Sequence, residues 1–116
     1  MSKIYISGPI SGCKNFRELF AEAAKQITEK GHEAINPCDM DKILNPATTS
    51  WHQFMLADLG LLRACDAIVL LEGWEGSKGS RIEQAEPGKY GLKIYKRIEN
   101  IPEEGRREKK WGKPIQ

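Results

Sequence analysis

The sequence predicts a small doubly wound α/β domain, in which helices cover both faces of a central parallel sheet of four to five strands. Three observations predict this class of fold. Short β-rich runs alternate with stretches of helical periodicity, residues 67–71 are apolar without interruption, and glycine-rich turns follow two of the predicted strands. A chain of 116 residues is long enough for one such domain with one modest core.

The first half of the chain has the pattern of a strand, a helix and a second strand. Residues 3–7 predict a strand that ends in the turn Gly8–Gly12. Apolar residues then recur at helical spacing between Asn15, which is favourable for beginning a helix, and Gly31, which is favourable for ending one. Residues 32–35 predict a weaker second strand.

A second helix and the strongest strand come next. Ser50 and Gln53 form a capping box, which predicts a helix from there to about Cys65. The run from Asp66 to Leu71 is apolar after its first residue, so we expect a central strand that is covered on both faces.

The glycine-rich loop Gly73–Gly79 opens the last third of the chain. Ser80 and Glu83 have the spacing of another capping box, so we expect the third helix to begin near Ser80. Residues 92–95 predict the last strand. The order β-α-β-α-β-α-β implies a flavodoxin- or Rossmann-like three-layer sandwich, whose ligands bind beyond the carboxyl ends of the strands. The turn Gly8–Gly12 should then lie on the same edge of the sheet as the glycine-rich loop.

The composition gives little support for binding to nucleic acid or to a membrane. The net charge is +2, and residues 96–116 carry seven Lys or Arg against four Glu. Such an end is more often a solvated tail than a phosphate-binding surface, and this one lacks the interleaved aromatics of a single-strand binder. No apolar run has membrane-spanning length. We therefore divide the chain into a domain, residues 1–96, and a basic, largely irregular tail, residues 97–116.

The cysteines and the N-terminal pattern indicate a cytoplasmic protein. Cys13, Cys38 and Cys65 form no Cys-x-x-Cys pair and have no histidine at zinc-like spacing. The N-terminus begins with a strand pattern rather than a secretory signal segment. The turn Gly8–Gly12 has neither a P-loop ending nor the glycine spacing of a dinucleotide fingerprint, so an ATPase or a dehydrogenase is not supported. We expect no metal and no cofactor.

Two carboxylates, Asp58 and Glu83, are the candidate catalytic groups. Asp58 lies within the apolar stripe of the second helix, between Met55 and Leu62, so it should face the core, where a carboxylate needs a partner or a shifted pKa. Two carboxylates in different environments are suited to cleaving a glycosidic bond, one at the anomeric carbon and one at the leaving group. The alternatives are structural: Asp58 bonds to a loop backbone, and Glu83 bonds back to its helix cap.

Small and hydroxyl-bearing residues are the candidate substrate-binding groups. A phosphate near the start of the third helix needs hydrogen-bond donors without much bulk, and the helix dipole favours negative charge there. The sequence offers such donors at Gly8–Gly12, Ser77, Gly79 and Ser80. Two aromatic residues stay open to two interpretations: Tyr5 is a half-buried strand residue or part of the site, and Trp51 stacks on a base or belongs to the packing.

Four segments of the chain carry a resemblance to a known family. They read Lys-Ile-Tyr-Ile-Ser-Gly-Pro-Ile-Ser-Gly (3–12), Met-Leu-Ala-Asp-Leu (55–59), Cys-Asp-Ala-Ile-Val-Leu-Leu (65–71) and Gly-Trp-Glu-Gly-Ser-Lys-Gly-Ser-Arg-Ile-Glu (73–83). Together they resemble the nucleoside 2-deoxyribosyltransferase superfamily, and most closely its short nucleoside deoxyribosyltransferase-like branch, the DUF4406 type. The deoxynucleoside 5′-monophosphate N-glycosidases share this layout. The resemblance implies a nucleoside or nucleotide as the small-molecule partner and a homodimer or larger homo-oligomer.

The resemblance also implies a role for each candidate residue. Glu83 corresponds to the nucleophile on C1′ of the deoxyribose, Asp58 assists at the base or the sugar, and Tyr5 orients the nucleophile or the sugar. Ser11 stands where the hydrolase branch carries an arginine suited to a phosphate. The residues implied to line the 5′ end or phosphate are Gly8, Pro9, Ile10, Ser77 and Gly79. The candidate binding set also contains Ser80 and Trp51.

The expected activity is cleavage of an N-glycosidic bond, as a deoxyribosyltransferase or as a deoxynucleoside 5′-monophosphate N-glycosidase. Pro87 supports a second interpretation. It lacks the N–H that would bond to the Glu83 carbonyl, so the helix should end early or kink beside Glu83. The alternative function is a non-catalytic protein that binds a nucleotide or a nucleotide-derived signal in the same pocket.

Overall fold

Four parallel strands form the central sheet, which pairs them in the order β2-β1-β3-β4. The structure is a computed structural model and describes residues 1–104. The two central strands are also the most apolar, because they are covered on both faces. The strands are β1 (Lys3–Ser7), β2 (Glu33–Ile35), β3 (Ala67–Leu70) and β4 (Lys93–Tyr95). The predicted parallel α/β class is confirmed.

Helices connect each strand to the next. The α-helices are α1 (Phe16–Glu29), α2 (Trp51–Arg63), α3 (Lys78–Gln84) and α4 (Pro87–Tyr90). Short 3-10 helices lie at Pro37–Lys42, Trp74–Gly76 and Ile98–Asn100. The predicted alternation of strands and helices is therefore present, with the third connection divided between α3 and α4.

The core has two parts, one on each face of the sheet. On one face, Ile4 and Ile6 of β1 pack with Phe20 of α1. On the other face, Tyr5 of β1 packs with Leu62 of α2. Because successive strand residues point to opposite faces, one apolar strand supplies both layers. The result is a three-layer arrangement with α1 on one side and α2 on the other.

The helix starts show where local capping rules succeed and where they do not. The Ser50 Oγ accepts from the backbone N–H of Gln53 (3.1 Å), and the Gln53 side chain accepts from the backbone N–H of Ser50 (2.8 Å), which confirms that capping box. The predicted box at Ser80 and Glu83 is wrong. α3 begins at Lys78 because Ser77 caps it, accepting from the backbone N–H of Ser80 (3.2 Å). The Glu83 side chain is therefore free for another partner.

The helix that carries Glu83 ends early, as expected from Pro87. α3 ends at Gln84, and Pro87 is the first residue of α4, a position that tolerates its missing N–H. The backbone N–H of Glu86 bonds to the Glu83 carbonyl at 3.1 Å and supplies the partner that Pro87 cannot. The short helix thus ends without leaving the Glu83 backbone unpaired.

Residues after β4 also contribute to the core. Ile101 is 2 % exposed and packs in the cluster on the α1 face. The buried His32 connects this segment to the N-terminus through two hydrogen bonds. Its Nε2 donates to the Pro102 carbonyl (2.6 Å), and its Nδ1 accepts from the backbone N–H of Ser2 (3.1 Å). The predicted division of the chain after residue 96 stays a prediction. Residues 105–116 of the predicted tail lie outside the described residues.

Three properties of residues 1–104 bear on the class of protein. Their helices are all too short or too polar to cross a membrane. Cys13, Cys38 and Cys65 are free thiols. Within the same residues, no group of three or more His, Cys, Asp or Glu side chains is arranged to hold a metal ion.

Candidate functional site

A pocket of about 570 Å³ opens at the carboxyl ends of the two central strands. This is the position where the strand order reverses, and its volume is in the range of small-molecule sites. The turn after β1 forms one wall, the loop and first residues of α3 form the opposite one, and α2 contributes a third. The predicted meeting of the two glycine-containing loops at one edge is therefore present.

Glu83 is fixed in the wall of this pocket by two hydroxyl groups from β1. The Tyr5 hydroxyl donates to its Oε2 at 2.6 Å, and the Ser7 hydroxyl donates to its Oε1 at 2.7 Å. Tyr5 and Ser7 lie two positions apart, so they point to the same face of the strand. Both donors are fully buried and Glu83 is 6 % exposed, so the orientation of the carboxylate is set by the sheet.

Burial and hydrogen bonding act in opposite directions on Glu83. Burial raises the pKa of its carboxyl group, and the hydrogen bonds from Tyr5 and Ser7 offset part of that rise. For Tyr5, burial and the neighbouring Glu83 charge hold the pKa well above its usual value, so its hydroxyl stays a donor. The two donors therefore favour an ionised, oriented carboxylate at the pocket.

Asp58 presents a second carboxyl group of different character. It lines the pocket from α2, and its Oδ1 is buried without a hydrogen-bond partner among residues 1–104. Burial, followed by the negative charges of Glu83 and Asp41, raises its pKa to about 7. Near neutral pH, Asp58 is thus partly protonated and partly ionised. Glu83 differs because two hydroxyl groups donate hydrogen bonds to it.

Ser80 carries the other buried side-chain oxygen without a partner among residues 1–104. It is 1 % exposed, lines the pocket and lies one turn before Glu83 on α3. Buried polar atoms in proteins are almost always hydrogen-bonded, so an orphaned one beside a pocket indicates a place for a polar ligand group. Asp58 and Ser80, which carry these two oxygens, line the same pocket.

The glycines of the two loops allow close approach of the backbone. A Cβ at Gly8 would lie 2.9 Å from the Leu71 Cβ, and one at Gly79 would lie 3.3 Å from the Met55 sulfur. Neither position has room for a side chain without movement of its neighbour. The loops can therefore pack together while they keep the pocket open.

A cation–π contact and an ion pair complete the lining. The Lys78 ammonium lies over the Trp51 ring, 4.8 Å from its centroid, and Trp51 remains 47 % exposed. On the other side, the Arg17 guanidinium is paired with the Asp41 carboxylate. Arg17 and Asp41 also line the pocket, so its wall contains charges from α1 and from the 3-10 helix before α2.

The structure brings nearly all the predicted site residues to this pocket, with Tyr5 behind Glu83. Their roles as catalytic or binding residues stay predictions. The lining includes Gly8, Pro9, Ile10, Ser11, Trp51, Asp58, Ser77, Gly79, Ser80 and Glu83.

The sequence patterns did not identify Ser7, Arg17 or Asp41 as residues of the site. Ser7 had a signal, because it shares the strand face of Tyr5 and is the last residue before the turn. Arg17 and Asp41 had none, since each occupies a position that looks like ordinary solvated surface. Their meeting depends on how the 3-10 helix Pro37–Lys42 folds against the start of α1.

The fold and the pocket define the class: a small parallel α/β domain with a ligand-sized site at the carboxyl ends of its central strands. Residues 2–96 match the family described as Domain of unknown function (DUF4406), and the chain therefore belongs to that family. No curated protein matches the sequence.

A solved structure has a fold similar to that of this chain. A 2-deoxyribosyltransferase from the psychrotolerant bacterium Bacillus psychrosaccharolyticus matches with a TM-score of 0.61 and 15 % sequence identity. The match covers 79 % of this chain and 69 % of that one. The chain thus has a nucleoside deoxyribosyltransferase-like fold.

Proposed function

We propose that this protein cleaves the N-glycosidic bond of a 2′-deoxynucleoside or its 5′-monophosphate, with Glu83 as the nucleophile. One observation carries the proposal. A buried carboxylate, held by two hydroxyl donors, shares a pocket with Asp58, whose pKa is raised to about 7 and whose Oδ1 has no partner in the described part of the chain. Glycosidases cleave glycosidic bonds with two carboxyl groups that lie in different environments.

The first step forms a covalent intermediate. The Glu83 carboxylate attacks C1′ of the deoxyribose, the C1′–O bond forms, and the C1′–N bond breaks with its electron pair leaving on the base. Asp58, as the acid, gives its proton to the departing base. Tyr5 and Ser7 keep the attacking carboxylate in one orientation, which lowers the entropy cost of reaching the transition state.

The second step returns the enzyme to its starting state. Water, or a second base, attacks C1′, and the bond from C1′ to Glu83 breaks. Asp58, now a carboxylate, accepts the proton that the attacking group loses. Water gives free deoxyribose or its 5-phosphate, whereas a second base gives a new nucleoside.

Two further parts of the proposal concern the whole protein. The fold resembles that of a 2-deoxyribosyltransferase, which supports a nucleoside-type partner at the pocket. We also propose a homo-oligomer, as the family resemblance implies, in the cytoplasm, as the cysteines and the N-terminal pattern indicate. Light scattering after size-exclusion chromatography measures the mass in solution, and a monomer would contradict this part.

The test is release of free base at high enzyme concentration. Common 2′-deoxynucleosides and their 5′-monophosphates are incubated with and without a second base, and products are separated by chromatography. We expect turnover by the wild-type protein and none by Glu83→Gln. Intact-mass spectrometry should detect a deoxyribosyl adduct on the wild-type protein that Glu83→Gln does not form.

Glu86→Gln is the matched control for this test. Glu86 is also buried and lies three positions further on, but its carboxylate pairs with Arg63 outside the pocket. It should retain activity. Ligand-induced stabilisation without turnover of any substrate would overturn the catalytic proposal and favour the alternative, a nucleotide-binding protein.

A further inference from the structure

The pocket has an unfavourable charge balance for a phosphorylated substrate. Among the described residues its lining contains two cations, Arg17 and Lys78, and three carboxylic acids, Asp41, Asp58 and Glu83. A phosphate monoester carries close to two negative charges at neutral pH. A nucleoside 5′-monophosphate would therefore enter a pocket that is already neutral to negative.

Arg17 is the cation best suited to a phosphate, because a guanidinium can donate two parallel hydrogen bonds to it. In this structure Arg17 is paired with the Asp41 carboxylate, so its charge is already matched. The pair joins the first turn of α1 to the 3-10 helix Pro37–Lys42, and both residues line the pocket.

Turning Arg17 toward a phosphate would not solve the problem of charge. Asp41 is only 29 % exposed at its side chain and would be left without its partner, beside an incoming dianion. Its charge already influences the pocket, since it contributes to the raised pKa of Asp58. If Arg17 instead stays paired with Asp41, Lys78, which lies over the Trp51 ring, is the remaining cation of the described lining, and it faces the phosphate beside Asp58 and Glu83.

We propose that the Arg17–Asp41 pair determines substrate class, and that it makes the pocket select an uncharged 2′-deoxynucleoside over its 5′-monophosphate. This inference rests on the proposed function. Arg17 and Asp41 act on selectivity through charge at the pocket wall and take no part in bond cleavage.

The experiment compares kcat/KM for a 2′-deoxynucleoside with that for its 5′-monophosphate. The wild-type protein should prefer the nucleoside by about tenfold or more, and Asp41→Asn should reduce this preference by about tenfold, the effect of removing one nearby charge. The reduced preference should come from a higher kcat/KM for the monophosphate. In the double variant Arg17→Gln with Asp41→Asn this increase should disappear, because it depends on the guanidinium that Asp41 no longer holds.

Asp39→Asn is the matched control. Asp39 lies on the same 3-10 helix, carries the same charge and pairs with Lys42, but it does not line the pocket. Its substitution should leave the preference unchanged. An equal change in Asp39→Asn and Asp41→Asn would overturn the inference, because a general charge effect would then explain both.

Different experimental results would overturn the inference and the proposed function. A wild-type protein that uses the monophosphate as well as the nucleoside contradicts the inference and leaves the activity intact. If neither substrate is turned over, calorimetric binding of both to the wild-type protein gives the same comparison without chemistry. A preference for the monophosphate in that measurement also overturns the inference, whereas a nucleoside preference that Asp41→Asn removes supports it.

Discussion

The Tyr5 hydroxyl donates to the Glu83 carboxylate over 2.6 Å, although the two residues are 78 positions apart in the chain. The contact joins the central strand β1 to the short helix α3, and both groups are buried. Because β1 is fixed on both sides by pairing with β2 and β3, its side chains have little freedom. The most rigid part of the fold therefore orients the carboxylate that we propose as the nucleophile.

Tyr5→Phe should lower activity and change its pH dependence. Loss of this hydrogen bond removes one influence that lowers the pKa of Glu83, so the acid limb of the kcat/KM profile should move to higher pH. We expect kcat/KM at neutral pH to fall by about tenfold or more, which corresponds to one hydrogen bond in the transition state. The pH–rate profile measures both effects.

The control for this prediction is Tyr90→Phe. Tyr90 is 52 % exposed on α4, contacts Arg63 and does not line the pocket. It should leave the profile unchanged. If Tyr5→Phe lowers kcat/KM without moving the acid limb, Tyr5 acts by orienting the Glu83 carboxylate rather than by changing its pKa.

The parts of this fold that depend on local sequence were predictable. The uninterrupted apolar run of β3 predicts a central strand, and Ser50 with Gln53 predicts the start of α2. The capping pattern predicts the start of α3 two residues too late, because both Ser77 and Ser80 can cap a helix. Only the structure shows which of them the backbone uses.

The site was predictable in part for the same reason. Asp58 broke an apolar helical stripe, and a carboxylate that faces the core is a local signal of function. Ser7, by contrast, became meaningful only through its contact with Glu83, and the Arg17–Asp41 pair depends on the path of the chain between β2 and α2. Contacts between distant segments carry no local signal, so periodicity and motif spacing cannot find them.

Gly8→Ala should destabilise the fold. A Cβ at this position would lie 2.9 Å from the Leu71 Cβ, which is close to the backbone and cannot rotate away. We expect a loss of about 1–3 kcal/mol in the free energy of unfolding, as for other overpacked positions, measured by urea denaturation. Gly60→Ala is the matched control: nothing lies within 4 Å of a Cβ there, and it is inside α2. It should gain about 0.5–1 kcal/mol from helix propensity, and equal losses at both glycines would contradict the steric argument.

Ile101→Ala should show that the segment after β4 belongs to the domain. Ile101 is 2 % exposed in the cluster on the α1 face, so its truncation leaves a cavity and should cost about 2–5 kcal/mol of unfolding free energy. Ile43→Ala removes the same atoms from a residue that is 76 % exposed, and it should change stability by less than about 0.5 kcal/mol. Similar, small effects of the two substitutions would support a domain that ends at residue 96.

Asp58→Asn should lower activity and raise stability at alkaline pH. As the acid that protonates the leaving base, Asp58 must hold its proton, so kcat/KM of the wild-type protein should fall above pH 7, near the pKa of about 7 for this group. The variant should lose this basic limb together with about 10²–10⁴-fold in rate, the usual contribution of a general acid. Asp66→Asn, at the opposite edge of the sheet where the carboxylate accepts from the Lys3 backbone, should keep the limb.

The stability effect of the same substitution follows from linkage. The pKa of Asp58 is 3.8 as its ordinary value and about 7 in the folded protein, so between these values the folded state binds more protons than the unfolded state. Asp58 therefore reduces the stability of the fold progressively as pH rises through this window. Asparagine carries no such charge, so the variant should be more stable than the wild type at pH 8. Because the side chain is partly exposed, we expect a gain of only about 1–2 kcal/mol in the free energy of unfolding. At pH below about 3 the gain should vanish, because the carboxyl group is then protonated in both states. Thermal melts of both proteins across this pH range measure the difference, and a gain that does not depend on pH would show that packing, not charge, is its source.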